Sequence, residues 1–130
     1  MTGEVTRAMT ILVIDDNSEN RALARDALED EGMAVVLASN GAEGISAFTQ
    51  FHPDCIVLDI RMPGLDGIAV CERIRALPEG DRVAIVFATA QRDVETFDRA
   101  LAAGGDDFLT KPYRPSELVV RVGTAQRLRR

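Results

Sequence analysis

The chain has 130 residues, 46% hydrophobic and 28% charged, which fits one folded domain with one core and excludes a disordered segment. A net charge of −6 and a pI near 4.7 exclude direct nucleic-acid binding by this domain and fit a soluble surface, a divalent-cation site, or both. Met1 to Met9 has no apolar block of the signal-peptide kind, and the longest apolar run, Val83 to Ala90, is far short of the roughly 18 residues a membrane span needs. The expectation is a cytoplasmic chain with no membrane partner, an N-terminal tail over residues 1–9 and one domain over 10–130.

Thr10-Ile11-Leu12-Val13-Ile14 is an apolar run that ends in Asp15-Asp16 and reads as a buried strand. Asn17 or Ser18 then caps a helix with Leu23, Ala24, Ala27 and Leu28 on its inner face, stopped at Gly32. Ala34 to Ala38 is a second strand. Ser39-Asn40-Gly41 turns into a short helix carrying Ala42, Ile45, Ala47 and Phe48, which ends before Pro53. His52, beside that proline, reads as an exposed filler, and Cys55 as a small core residue rather than half of a metal-binding pair with Cys71.

The third strand carries Ile56-Val57-Leu58 and ends at Asp59 or Ile60. Met62-Pro63-Gly64 forces a turn, Asp66-Gly67 opens a helix, and Ile68, Val70, Cys71, Ile74 and Leu77 give it an inner face before Pro78-Glu79-Gly80. Val83 to Ala88, ending in Thr89, is the fourth strand. Asp93 caps the next helix, whose apolar set is Val94, Phe97, Ala100, Leu101 and Ala102, and Gly104-Gly105 closes it. Asp107 to Thr110 is a short fifth strand before Lys111-Pro112. Pro115 starts the last helix, with Leu118, Val119, Val122, Ala125 and Leu128 facing inward. Gly123 inside it costs about 1 kcal/mol relative to Ala.

Strands that alternate with helices over short connections predict right-handed crossovers and a parallel sheet covered on both faces. The expected fold is an α/β, flavodoxin-like three-layer sandwich with five parallel strands in the order 2-1-3-4-5 and five helices. Ligands of such sheets bind beyond the carboxyl ends of the strands. There the chain places Asp15 and Asp16 after strand 1, Asp59 after strand 3, Thr89 at the end of strand 4 and Lys111 after strand 5.

Each of these has an ordinary alternative, such as helix cap, strand filler or solvated charge. Together at one sheet edge they suit phosphoryl transfer. Gathered carboxylates repel and call for a divalent cation, and oxygen ligands without Cys or His favour Mg²⁺ over zinc. A carboxylate with an ordinary pKa of about 3.9 is already ionised and acts as a nucleophile without a general base. Mg²⁺ between Asp16, Asp59 and a phosphoryl oxygen would offset anion repulsion, Lys111 would neutralise a second oxygen, and the Thr89 hydroxyl would donate to a third.

From about Ile11 to Leu128 the chain resembles the response-regulator receiver domains of two-component signalling. The resemblance rests on Ile14-Asp15-Asp16-Asn17, on Leu58-Asp59-Ile60-Arg61-Met62-Pro63-Gly64-Leu65-Asp66-Gly67, on Ala88-Thr89-Ala90 and on Gly105 to Pro112, in the family's order and spacing. It implies that Asp59 accepts a phosphoryl group from a sensor histidine kinase or a histidine phosphotransfer protein. It implies Mg²⁺ held by Asp16 and Asp59 directly, by Asp15 through water and by the Arg61 backbone carbonyl, with Lys111 on the phosphoryl group and a cis peptide at Lys111-Pro112. As a switch, phosphorylation would draw the Thr89 hydroxyl inward and let Phe108 fill the space vacated. The readout face would be helix 4, strand 5 and helix 5, with Asp106, Asp107 and Arg121 resembling charges that receivers use to dimerise. Arg61 and Gln91 occupy positions that set phosphoryl lifetime in the family. Arg127 to Arg130 reads equally as a true terminus or as the start of a linker to a C-terminal effector domain.

Three rivals share parts of this pattern. An aspartate-nucleophile phosphohydrolase would want a second Asp two residues after its nucleophile on strand 1, where Asn17 stands, and a cap domain. A flavin module would want a Ser/Thr/Gly-rich phosphate loop where Asp15-Asp16 would repel the cofactor. A receiver-like interaction module that is never phosphorylated keeps the fold without needing all five chemical positions filled.

Overall fold

A computed structural model describes residues 8–90 and 93–129. The apolar runs become β1 (Thr10–Ile14), β2 (Ala34–Ala38), β3 (Cys55–Leu58), β4 (Ala84–Thr89) and β5 (Asp107–Thr110). They alternate with α1 (Ser18–Glu29), α2 (Gly41–Phe51), α3 (Gly67–Arg75), α4 (Val94–Ala102) and α5 (Pro115–Arg129). The strands form one parallel sheet in the order β2-β1-β3-β4-β5. The expected fold class and strand order are therefore observed.

Side chains alternate across the sheet, so each strand feeds two cores. Ile11, Val13, Val57 and Val86 face a layer that holds Leu28, Leu118 and Val122 from α1 and α5. Leu12, Ile14, Leu58 and Phe87 face one that holds Phe48, Ile68, Ile74 and Ala100 from α2, α3 and α4. Cys55 and Cys71 are fully buried in these cores as small apolar groups. Burial pushes both thiols up, Cys71 to about 11, so neither is a thiolate at neutral pH.

Four helices begin with a side-chain cap. Asn17, Asn40, Asp66 and Asp93 accept from the N–H of Asn20, Glu43, Ala69 and Thr96, each bond stabilising its helix by about 1 kcal/mol. Of the two candidates for α1, Asn17 is the cap. The helix ends at Glu29, ahead of Gly32, whose φ of +84° belongs to the turn that follows. The second helix is not short: it runs eleven residues, and His52 closes it at φ +48°, donating its N–H to Phe48 O. The last helix continues through Gly123 to Arg129.

Several expected inner faces need correction. Leu23, Val94, Leu101 and Leu128 are exposed, as are Ala42 and Ala102. On α2 the buried positions beside Ala47 and Phe48 are Gly41 and Gly44, where a Cβ would strike Val70 and Ile14. On α4 only Ala100 is buried. Apolar spacing shows which residues share a helical stripe, but not how far neighbouring elements cover it.

At the edge of the sheet opposite the site, Arg75 organises a corner. Its guanidinium donates to Gly104 O (3.0 and 2.7 Å), to Gly80 O (2.7 Å), to Val83 O (2.5 Å) and to Asp106 Oδ2 (3.0 Å). Asp106 also accepts from Ile85 N–H (2.8 Å) and from Arg129 Nε (2.8 Å). Burial, then the nearby Arg129 charge, lowers the Arg75 pKa, and Asp106 pulls the other way.

Candidate functional site

The register decides which side chains meet. Ile14 pairs with Leu58, and Leu58 with Phe87, so Asp15 and Asp59 leave adjacent strands side by side. Asp59 N–H donates to Ile14 O at 3.0 Å, which extends the β1–β3 ladder to the carboxylates themselves. Thr89 pairs with Thr110, and Lys111 N–H donates to Thr89 O at 2.9 Å, placing the lysine one step beyond β5. The peptide Lys111-Pro112 is cis.

Lys111 lies between the two buried acids. Its Nζ is 2.5 Å from Asp15 Oδ2 and 3.1 Å from Asp59 Oδ2. Burial works against the ammonium, but bonds to Asp15 and the charges of both acids lift the Lys111 pKa above its ordinary value. Asp59 is pushed up, first by burial and then by the Asp15 charge, while Lys111 and the Arg61 N–H pull it down. It is a less ordinary carboxylate than the sequence suggests, because its surroundings keep water away from it.

The loop after β3 folds back close to Asp59. Arg61 N–H donates to Asp59 Oδ1 at 3.3 Å, and Gly64 makes the turn at φ +78°. Gly67 N–H donates to Ile60 O at 2.8 Å, and a Cβ on Gly67 would sit 2.1 Å from Asp59 O. Only glycine lets α3 start this close to the end of β3.

One carboxylate oxygen from each of Asp15, Asp16 and Asp59 lies within 4.8 Å of the others. Asp15 and Asp59 are buried, whereas Asp16 is exposed. Octahedral Mg²⁺ at about 2.1 Å from its ligands needs oxygens up to about 4.2 Å apart. The trio fits a small hard cation after a slight closing, and it offers no sulfur or imidazole. Asp15, Asp16 and Asp59 are the residues that would hold the ion.

A family model for the response regulator receiver domain matches residues 11–123. The chain belongs to this family. It is 40% identical to the response regulator MprA of Mycobacterium avium over 114 residues, which are 88% of this chain but 49% of MprA. This receiver thus spans about half the length of that relative. The chemotaxis protein CheY4 of Vibrio cholerae shares its fold, with a TM-score of 0.89 at 24% identity over 92% of this chain and 99% of that one. The receiver domain of sensor histidine kinase PA1611 from Pseudomonas aeruginosa, with a magnesium ion in its active site cleft, superposes with a TM-score of 0.85 at 30% identity, covering 92% and 98% of the two chains.

The remaining expected site residues of the receiver fall as follows. Thr89 is buried at the end of β4, its carbonyl bonded to the Lys111 N–H. Phe108 is half-buried on β5, its ring 5.9 Å from that of Phe87 and 4.8 Å from that of Phe97 on α4. Asp107 pairs with Arg121 of α5 at 3.2 Å on the surface. Asp106 pairs with Arg75 and Arg129 within the chain. Gln91 lies outside the described residues. Arg21, which no motif marks, joins the site by donating to Asp15 O at 2.7 Å. No described helix is long and apolar enough to cross a membrane.

Proposed function

We propose that this receiver is a phosphorelay switch in which Asp59 takes a phosphoryl group from the phosphohistidine of a sensor kinase or histidine phosphotransfer protein. The N–P bond breaks with its electron pair passing to nitrogen, a bond forms from an Asp59 carboxylate oxygen to phosphorus, and the imidazole, already protonated at its other ring nitrogen in the donor, leaves neutral. The observation that carries this reading is the single lysine held between two buried acids at the mouth of a parallel sheet. Lys111 would exchange its bond to Asp59 for one to a phosphoryl oxygen, and the Thr89 hydroxyl would donate to another. Mg²⁺ on Asp15, Asp16 and Asp59, with the Arg61 carbonyl as a further ligand, would supply charge neutralisation. The domain is then no enzyme towards other substrates: it promotes only its own phosphorylation and hydrolysis.

Arg61 and Gln91, two positions along the chain from Asp59 and Thr89, would tune how long the phosphoryl survives. The output face is α4, β5 and α5, where Val94, Leu101 and Val120 are exposed beside the Asp107–Arg121 pair. It suits a homodimer and the relay of the signal to a C-terminal effector domain, as the greater length of MprA suggests. A cytoplasmic setting, where kinases present phosphohistidine, goes with this role.

Intact mass after incubation with Mg²⁺ and a small phosphodonor tests the proposal. One added phosphoryl group is expected, absent in Asp59→Asn and without Mg²⁺. No gain of mass with a competent kinase present would leave an unphosphorylated interaction module as the better reading.

A further inference from the structure

Asp15 is held at every polar atom. Its N–H donates to Ala38 O (3.1 Å), its Oδ1 accepts from Asn17 N–H (2.9 Å), and its Oδ2 faces Lys111. Its carbonyl accepts from Nη1 of Arg21, a half-buried residue near the start of α1, at 2.7 Å. That carbonyl belongs to the peptide unit joining Asp15 to Asp16, and the tilt of this unit sets the direction in which the Asp16 side chain leaves. Asp16 itself is exposed, and its carboxylate bonds no other described residue. Nothing on the side chain therefore keeps it within 4.8 Å of its partners, and the backbone must.

We infer that Arg21 is a positioning residue for the metal site: by gripping the Asp15 carbonyl it fixes the peptide unit that points Asp16 at Asp59. The inference rests on the Mg²⁺ reading above. It makes a prediction opposite in sign to plain electrostatics. Deleting a cation next to three carboxylates would by itself tighten Mg²⁺ binding. Deleting a group that orients a ligand loosens it, by 10- to 100-fold for orienting partners in general.

The test is a Mg²⁺ titration at fixed ionic strength, followed by the fluorescence of Tyr113. It is the chain's one tyrosine, with no tryptophan present, and it lies within the fields of Lys111, Asp15 and Asp59. Arg21→Ala is expected to weaken binding about tenfold, and Arg21→Lys, which keeps the reach and one donor, to recover most of that loss. In metal-free protein the Asn17 amide, bonded to Asp15 Oδ1, should exchange its hydrogen faster in Arg21→Ala than in the wild type. Binding by Arg21→Ala as tight as wild type or tighter, or an unchanged Asn17 amide, overturns the assignment. A wild type that takes up no Mg²⁺ overturns the metal reading and this role with it. The Asn17 amide would still report whether Arg21 holds the loop.

Discussion

The ring of Phe108 on β5 faces that of Phe97 on α4, with centroids 4.8 Å apart and planes tilted by 43°. Its other side meets Phe87, 5.9 Å away and nearly parallel. Phe108 is thus gripped between sheet and helix. Since Ala100 is the one fully buried residue of α4, the position of that helix depends heavily on the aromatic contact. A swing of Phe108 away from Phe97 would loosen α4 by removing this contact. A Phe lacks the hydroxyl that would reward the swing with a hydrogen bond, so packing alone would set the balance.

Phe108→Ala should therefore cost about 2 kcal/mol, less than the 3–5 typical of a fully buried Phe. It should also speed hydrogen exchange in α4 more than in α3. Urea unfolding and exchange mass spectrometry check both. Equal acceleration in the two helices would mean that α4 is held by something else.

Arg75→Lys tests the corner opposite the site. The guanidinium serves Gly80 O, Val83 O, Gly104 O and Asp106 Oδ2 at once, which one ammonium cannot do. Carbonyls left without a donor each cost about 1–3 kcal/mol when buried. Asp106 keeps Arg129 and Ile85 N–H, which softens the loss. The expected destabilisation by denaturant is about 3 kcal/mol, and a value near zero would show that water replaces the arginine.

What could be read from the sequence and what could not divides on physical grounds. Strands with Ile, Val and Leu in unbroken runs announce burial on both faces, so topology alone brings Asp15, Asp59, Thr89 and Lys111 to one edge. Caps such as Asp66 and Asp93 act within three residues and are local enough to see. Arg75, Asp106 and Arg129 meet across tens of residues, and their charges look like any solvated surface until the fold closes. Arg21 is hidden for a different reason: its partner is a backbone carbonyl, which every residue has. The exposed Val94 and Leu101 look like core because hydrophobic spacing shows a stripe and not what covers it.

Lys111→Met keeps the apolar stem and removes the charge between Asp15 and Asp59. Breaking a buried pair from one side costs about 3–5 kcal/mol, and the 16% exposure of the lysine side chain puts this case near the lower end. Thermal unfolding near pH 7 without divalent ions should show the loss, and millimolar Mg²⁺ should restore part of it by binding only the folded state. With its folded pKa raised, wild-type Lys111 contributes fully below the ordinary lysine value of 10.5, and the contribution fades as pH climbs beyond it. The gap between wild type and variant should therefore persist through the neutral range and narrow only in strong alkali.

Asp59→Asn should behave in the opposite way. Burial raises the Asp59 pKa from its ordinary 3.8, so the folded state binds its proton more tightly than the unfolded chain does. The ionised group then opposes folding: its contribution is most favourable below the ordinary value and is lost as pH rises through the raised one. A neutral Asn escapes this cost. Without Mg²⁺ the variant should match wild type in acid and become the more stable of the two as pH rises above 3.8, the difference levelling off once Asp59 is ionised in both states. Melting temperatures across that range decide it. A variant that is less stable at neutral pH would show that the bond from Lys111 to Asp59 outweighs the burial of the carboxylate.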